Sequence, residues 1–214
     1  MRFDVTDRVP ATAELAEQAR PALLGLWEAV FPAPGAVLVC PVTPRAGATT
    51  VACGLGVAGV ARGADGRVVV VDFDLHRGGV QRRLRLADGP GLADVLMGRI
   101  PLADALQRVG PDRLDVLTSG SLDGITADAV GGASAENAHA ELRDWYDYLI
   151  VDAPAVGRYP DAEVLAAMVG RAVLVARPRR TAGAAISDAR CRLEAAGATV
   201  LGAVLNGGAR SGSG

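Results

Sequence analysis

Ala36-Val37-Leu38-Val39-Cys40-Pro41-Val42-Thr43-Pro44-Arg45-Ala46-Gly47-Ala48-Thr49-Thr50 is the stretch that decides the fold. An apolar run of strand length ends in a loop of small residues. The loop opens into Thr49-Thr50-Val51-Ala52-Cys53-Gly54-Leu55, which reads as the first turns of a buried helix. Strand, small-residue loop and helix is the layout in which backbone N–H groups and a helix N-terminus face a phosphate. The pattern G-x-x-x-x-G-K-[ST] is half met. Gly47 and Thr49 take the second glycine and the hydroxyl position, the first glycine has no counterpart, and Ala48 stands where the lysine belongs.

Composition sharpens that vacancy. All 22 basic residues are arginine, so no lysine from elsewhere in the chain can fill it. A chain of 214 residues, half of them hydrophobic, can bury one sizeable core, and one domain is expected. The formal charge of −2 argues against a nucleic-acid partner held by bulk electrostatics. Cys40, Cys53 and Cys191 fall singly on apolar segments and read as small core residues of a reducing compartment. His76 and His139 are too isolated for a metal cage. No signal peptide and no apolar run of about 18 residues is visible, so a cytoplasmic location is expected.

Outward from the loop, residues 1–11 read as an extended arm and 12–35 as an N-terminal helical segment. Leu15, Ala19, Leu23, Leu26 and Val30 recur there at helical spacing, and Pro21 marks a kink or a second start. Strands are expected at 67–72, 114–118, 148–152, 172–176 and 200–206. Helices are expected at 91–98, 101–109, 135–145, 161–170 and 181–196. Residues 120–134, rich in Gly, Asp, Ser and Ala, read as a loop, and 207–214 as a disordered tail. Continuous Val runs such as Val68–Val71 suit strands covered on both faces. The alternation makes 12–206 a single α/β domain, a doubly wound, mostly parallel sheet of P-loop NTPase topology. Its ligands are expected at the carboxyl ends of the strands.

Three of those ends converge in this reading. The first carries the loop Arg45, Ala46, Gly47, Ala48, Thr49, Thr50. The second ends in Asp72-Phe73-Asp74, two carboxylates on the same side of an extended chain. The fourth ends in Asp152 after Leu149-Ile150-Val151, as a Walker B carboxylate does. Thr49, Asp72 and Asp152 are the residue types that hold Mg²⁺ and its waters beside a nucleoside triphosphate. The rival reading is that strand-terminal aspartates cap the next turn. The clusters Arg82-Arg83-x-Arg85 and Arg177-Pro178-Arg179-Arg180 read as solvated faces, with an acidic or phosphate ligand as the alternative. Tyr146 and Tyr148 read as packed.

Several blocks in order resemble the bacterial tyrosine kinase family, relatives of the septum-positioning and partition ATPases. They are Asp72–Arg77, Gly91–Gly98, Trp145–Pro154, Asp161-Ala162 and Leu201–Asn206. The resemblance spans about residues 15–206. It implies ATP or ADP with Mg²⁺ as cofactor, Asp72, Asp74 and Asp152 as the catalytic carboxylates, and Asn206 beside the adenine. It also implies a partner, the cytoplasmic segment of a membrane polysaccharide chain-length regulator, which would place the protein at the inner face of the membrane. Subunit contact is implied through the N-terminal helix, where Glu17 and Arg20 match the family motif and Leu23 departs from it. Two further departures matter. Arg45 and Ala48 replace a glycine and the lysine of the family loop, and no tyrosine follows Tyr159, so tail autophosphorylation has no acceptor.

Losing the lysine removes one or two charge-assisted hydrogen bonds of about 1.5–3 kcal/mol each. That corresponds to about 10- to 1000-fold in nucleotide affinity. A cation on the developing charge of phosphoryl transfer is worth on the order of 10³–10⁵ in rate. The expectation is therefore a degenerate ATPase, a pseudo-kinase that acts by conformation and assembly in exopolysaccharide export. The alternatives are an active ATPase or protein-tyrosine kinase in which Arg45 supplies the charge, and a partition-type positioning ATPase.

Overall fold

The computed structural model describes residues 4–5, 21–110, 114–126 and 129–207. The expected contact residues Glu17 and Arg20, most of the arm and the tail beyond 207 lie outside them. In chain order the elements are β1 (Asp4–Val5), α1 (21–30), β2 (Gly35–Pro41), α2 (Ala48–Ala61), β3 (Val68–Asp72), α3 (Val80–Leu84), α4 (Leu92–Leu96) and α5 (Leu102–Ala105). They continue with β4 (Gln107–Val109), β5 (Leu114–Leu117), a 3₁₀ turn (Ala129–Gly131), α6 (Ala133–Trp145), β6 (Tyr148–Asp152), α7 (Asp161–Val169), β7 (Arg171–Ala176), α8 (Gly183–Ala195) and β8 (Thr199–Leu205).

The strands form one sheet in the order β1-β4-β5-β3-β6-β2-β7-β8. Every pairing is parallel except β4 with β5. The period-two alternation of the central strands divides the core between two faces. Ala36, Leu38 and Cys40 of β2 and Val69 and Val71 of β3 point to the side covered by α6 and α7. Val37, Val39, Val68 and Val70 point to the side covered by α1 and α2. Because both faces are buried, these strands tolerate unbroken apolar runs.

Helix α2 is apolar all round because it lies between the sheet and α1. Its glycines set the distances. A Cβ on Gly56 would come within 2.5 Å of Val70, and one on Gly59 within 2.3 Å of the Trp27 ring. Trp27 in turn packs against Phe31 and Tyr148, with ring centroids 4.6 and 5.0 Å away. Helix α1 is described from Pro21 to Val30.

Four local readings change. The helix expected over 101–109 stops at Ala105, and Gln107–Val109 is a strand antiparallel to β5. The ion pair between Arg108 and the buried Asp115 (3.0 Å) spans that pairing, a tertiary contact that overrides a helical period. A short helix, α3, stands where 80–84 had no assigned structure. The loop expected through 134 gives way to α6 at Ala133. Cys40 and Cys53 are core residues, but Cys191 faces solvent. Tyr146 is packed, its hydroxyl donating to Asp115 at 2.9 Å. Among the described residues no helix is long and apolar enough to cross a membrane.

Candidate nucleotide site

The crevice lies beyond the carboxyl ends of β2, β3 and β6. β2 sits between β6 and β7; the chain passes from β2 to α2 on one face of the sheet and from β6 to α7 on the other, the arrangement that opens a crevice at strand ends. Register brings the ends level: Asp152 pairs with Asp72 on one side and with Val39 on the other.

The loop between β2 and α2 turns back through two left-handed residues, Arg45 (φ 65°) and Gly47 (φ 92°). Glycine suits such angles, whereas an arginine there costs about 1–2 kcal/mol. The α2 ladder begins with Val51 N–H on the Gly47 carbonyl at 3.1 Å. The N–H groups of Ala48, Thr49 and Thr50 therefore have no ladder partner and sit at the positive end of the helix dipole. Asn206, just past β8, closes the loop from behind by donating from Nδ2 to the Ala46 carbonyl at 2.9 Å. A Cβ at Gly47 would fall 2.0 Å from that nitrogen, so the contact requires glycine. The side chain implied to lie beside an adenine is thus also a brace of the phosphate loop.

The three aspartates have different occupations. Asp152 is 1% exposed, and neither of its oxygens has a hydrogen-bond partner. Burial, then the neighbouring Asp72, push its pKa well above the usual carboxylate range, and the nearby Thr49 hydroxyl lowers it in part. Asp72 accepts from the backbone N–H groups of Asp74 (3.1 Å), Gly79 (2.6 Å) and Val80 (2.9 Å). That uses three of a carboxylate's roughly four lone-pair sites. Asp72 therefore does what the rival reading expected and caps α3. Burial raises its pKa to about 6 against those three bonds. Asp74 accepts from His76 N–H at 3.3 Å and faces the cavity, its pKa raised by burial.

Thr49 and Asp152 are the donors suited to a hydrated Mg²⁺. A hydroxyl and a buried carboxylate with two unpartnered oxygens form a hard-oxygen set with open valence. Asp72 keeps one site free and chiefly holds the segment that follows it.

Over the loop lies a cavity of about 180 Å³ whose walls include Pro44–Thr49, Asp74, Ala153–Ala155 and four arginines: Arg45, Arg77, Arg82 and Arg158. Ala48, 4% exposed, forms part of its floor. Arg77, Arg82 and Arg158 were not assigned to the site from sequence. Arg77 closes the block Asp72–Arg77, while Arg82 belongs to a cluster read as a solvated face; it is exposed, and it also lines the rim of the cavity. Arg177, Arg179 and Arg180 do face solvent. Tyr159 of the cavity wall is stacked by His76, with ring centroids 3.5 Å apart and planes at 9°. The His76 Nε2 lies 2.9 Å from the buried Asp161 carboxylate at the start of α7, tying the loop after β3 to the loop after β6.

No protein-family model matches the chain. Among proteins of known identity it is similar to the tyrosine-protein kinase etk of Escherichia coli K12, 31% identical over 171 residues, which cover 80% of this chain and 23% of that one. The chain thus spans about a quarter of the length of that relative. It is also similar to the tyrosine-protein kinase YwqD of Bacillus subtilis 168, 28% identical over 80% of this chain and 71% of that one. Among solved structures, the kinase domain of the E. coli kinase superposes with a TM-score of 0.85 at 27% identity, over 99% of this chain and 85% of that one. The septum site-determining protein MinD of Pyrococcus horikoshii, solved with Mg-ADP, superposes with a TM-score of 0.70 at 25% identity, over 83% and 72%.

Proposed function

We propose that this chain, whose homologues are bacterial tyrosine kinases and whose fold is that of the MinD-type P-loop ATPases, binds ATP or ADP with Mg²⁺ and turns it over slowly or not at all. One observation carries this reading. Ala48 puts a methyl group on the cavity floor where the motif calls for an ammonium, while Thr49 and the open-valence Asp152 remain beside it. The binding half of the pocket is intact, and the loop cation is gone.

When bound, Mg²⁺ supplies charge neutralisation of the phosphates, with Thr49 and Asp152 to hold it. The free N–H groups of Ala48–Thr50 bind phosphate oxygens, and Asn206 fixes the loop that presents them. Asp74 and the Asp72-anchored segment form the opposite wall. The sequence blocks that run in the order of the bacterial tyrosine kinases support a role as regulatory partner of a membrane polysaccharide chain-length regulator, at its cytoplasmic segment. In that role nucleotide occupancy sets conformation and assembly.

Calorimetric titration with ATP and Mg²⁺, with phosphate release followed in the same samples, tests the reading. Saturable binding without appreciable release is expected. Brisk turnover abolished by Asp152→Ala would refute it. Pull-down of the cytoplasmic segment of the chain-length regulator should respond to nucleotide.

A further inference from the structure

The cavity over the loop carries more positive charge than an intact site of this pattern requires of its loop. Arg45, Arg77, Arg82 and Arg158 line it, and Asp74 is the one acidic residue on its wall. Among the described residues none of the four arginines forms an ion pair, although the chain as a whole is slightly acidic. Four guanidinium groups against a single wall carboxylate, Asp74, around a helix N-terminus make a field that favours a polyanion.

The four are not equally placed. Arg45 stands on the solvent side of the loop on a left-handed residue, and Arg158 lies over the Tyr159 ring, 5.4 Å from its centroid. Arg77 and Arg82 flank the Gly78-Gly79 turn, which presses directly on the loop hydroxyl. A Cβ on Gly79 would sit 2.9 Å from Thr49 Oγ1. That turn is fixed from below by the two bonds from Gly79 and Val80 N–H to Asp72. It is fixed from above by Arg82 Nη1, which donates to the Arg77 carbonyl at 3.2 Å.

We propose that Arg77 and Arg82 together take over the phosphate-binding charge of the absent loop lysine, so that the β3–α3 turn, not the loop, supplies the cations of a nucleoside polyphosphate site. This rests on the nucleotide-binding reading above and goes beyond it by naming the residues that make binding possible without lysine. It also explains the occupation of Asp72, whose carboxylate positions the turn that carries both arginines. Guanidinium groups on an exposed rim attract the phosphates equally before and during transfer. Such uniform binding lowers Kd without raising kcat.

The test is calorimetric titration of the whole chain with ATP–Mg²⁺ and, separately, with inorganic tripolyphosphate. Arg77→Ala, Arg82→Ala, the double variant and the double Arg→Lys variant are compared with Arg190→Ala on α8. All are exposed positions, where substitution barely moves stability, and circular dichroism checks that each variant is folded. Each single Ala variant should weaken both ligands about tenfold and the double variant about 100-fold. The double Lys variant should recover part of the loss, and Arg190→Ala should match wild type. Wild-type binding that survives in the double Ala variant would overturn this inference and leave the nucleotide reading standing. Tripolyphosphate binding that needs the arginines, without ATP binding, would uphold the inference and overturn the nucleotide reading. Binding of neither ligand by wild type would overturn both.

Discussion

Asp152→Asn tests the pocket where its chemistry is least comfortable. The carboxylate is 1% exposed, both oxygens lack partners, and Asp72 is its register neighbour on β3. An unsatisfied buried charged group costs at least about 1–3 kcal/mol. Replacing Asp152 by the neutral amide should therefore stabilise the ligand-free protein by about 1–3 kcal/mol. For a chain of this size that is about 3–10 °C in Tm. Differential scanning calorimetry at pH 7.5 without Mg²⁺ reads this directly. Added ATP–Mg²⁺ should then raise the Tm of wild type and leave the variant nearly unmoved, the exchange of stability for function expected at a binding site. A ligand-free Asp152→Asn protein less stable than wild type would mean that the carboxylate is already satisfied, and the argument for an open metal position would fall.

Three further outcomes follow from the same geometry. Burial raises the folded-state pKa of Asp72 above its unfolded value, so its contribution to stability is complete below about pH 4 and is lost as pH rises through about 6. Urea titrations of the ligand-free protein should show up to about 3 kcal/mol of that kind between pH 7 and pH 4. Ala48→Lys should restore the loop cation and raise ATP hydrolysis by up to about 10³–10⁵-fold; an unchanged rate with ATP still bound would show that the lysine is not the missing part. Tyr146→Phe removes a buried bond to Asp115 while Arg108 keeps that carboxylate paired, so a loss of about 1–2 kcal/mol in chemical denaturation is expected.

Much of the frame was legible in the sequence because it is written in local pattern. Tyr148–Asp152 is an apolar run between a helix end and a proline-containing loop, and its bounds as a strand are those expected. The phosphate loop is recognisable from small residues between such a run and a helix, even with its lysine gone. Less legible were the features decided across the chain. Helix α3 has five residues, too few to announce themselves, and its N-terminus is capped by Asp72 seven and eight residues away. With α3 unseen, nothing in Arg82-Arg83-x-Arg85 distinguished the arginine that faces the cavity from those that do not. Strand β4 was hidden by a helical period through Leu106 that the pairing with Asp115 overrules. The charge missing from position 48 reappears at positions that only the fold brings to the loop.

The most direct test of the account is equilibrium binding of ATP–Mg²⁺ to the wild-type chain, measured beside its rate of ATP hydrolysis and that of Ala48→Lys. The account predicts saturable wild-type binding with hydrolysis at least about tenfold slower than in the lysine variant. Fast wild-type hydrolysis that the lysine does not improve and Asp152→Ala abolishes would contradict it.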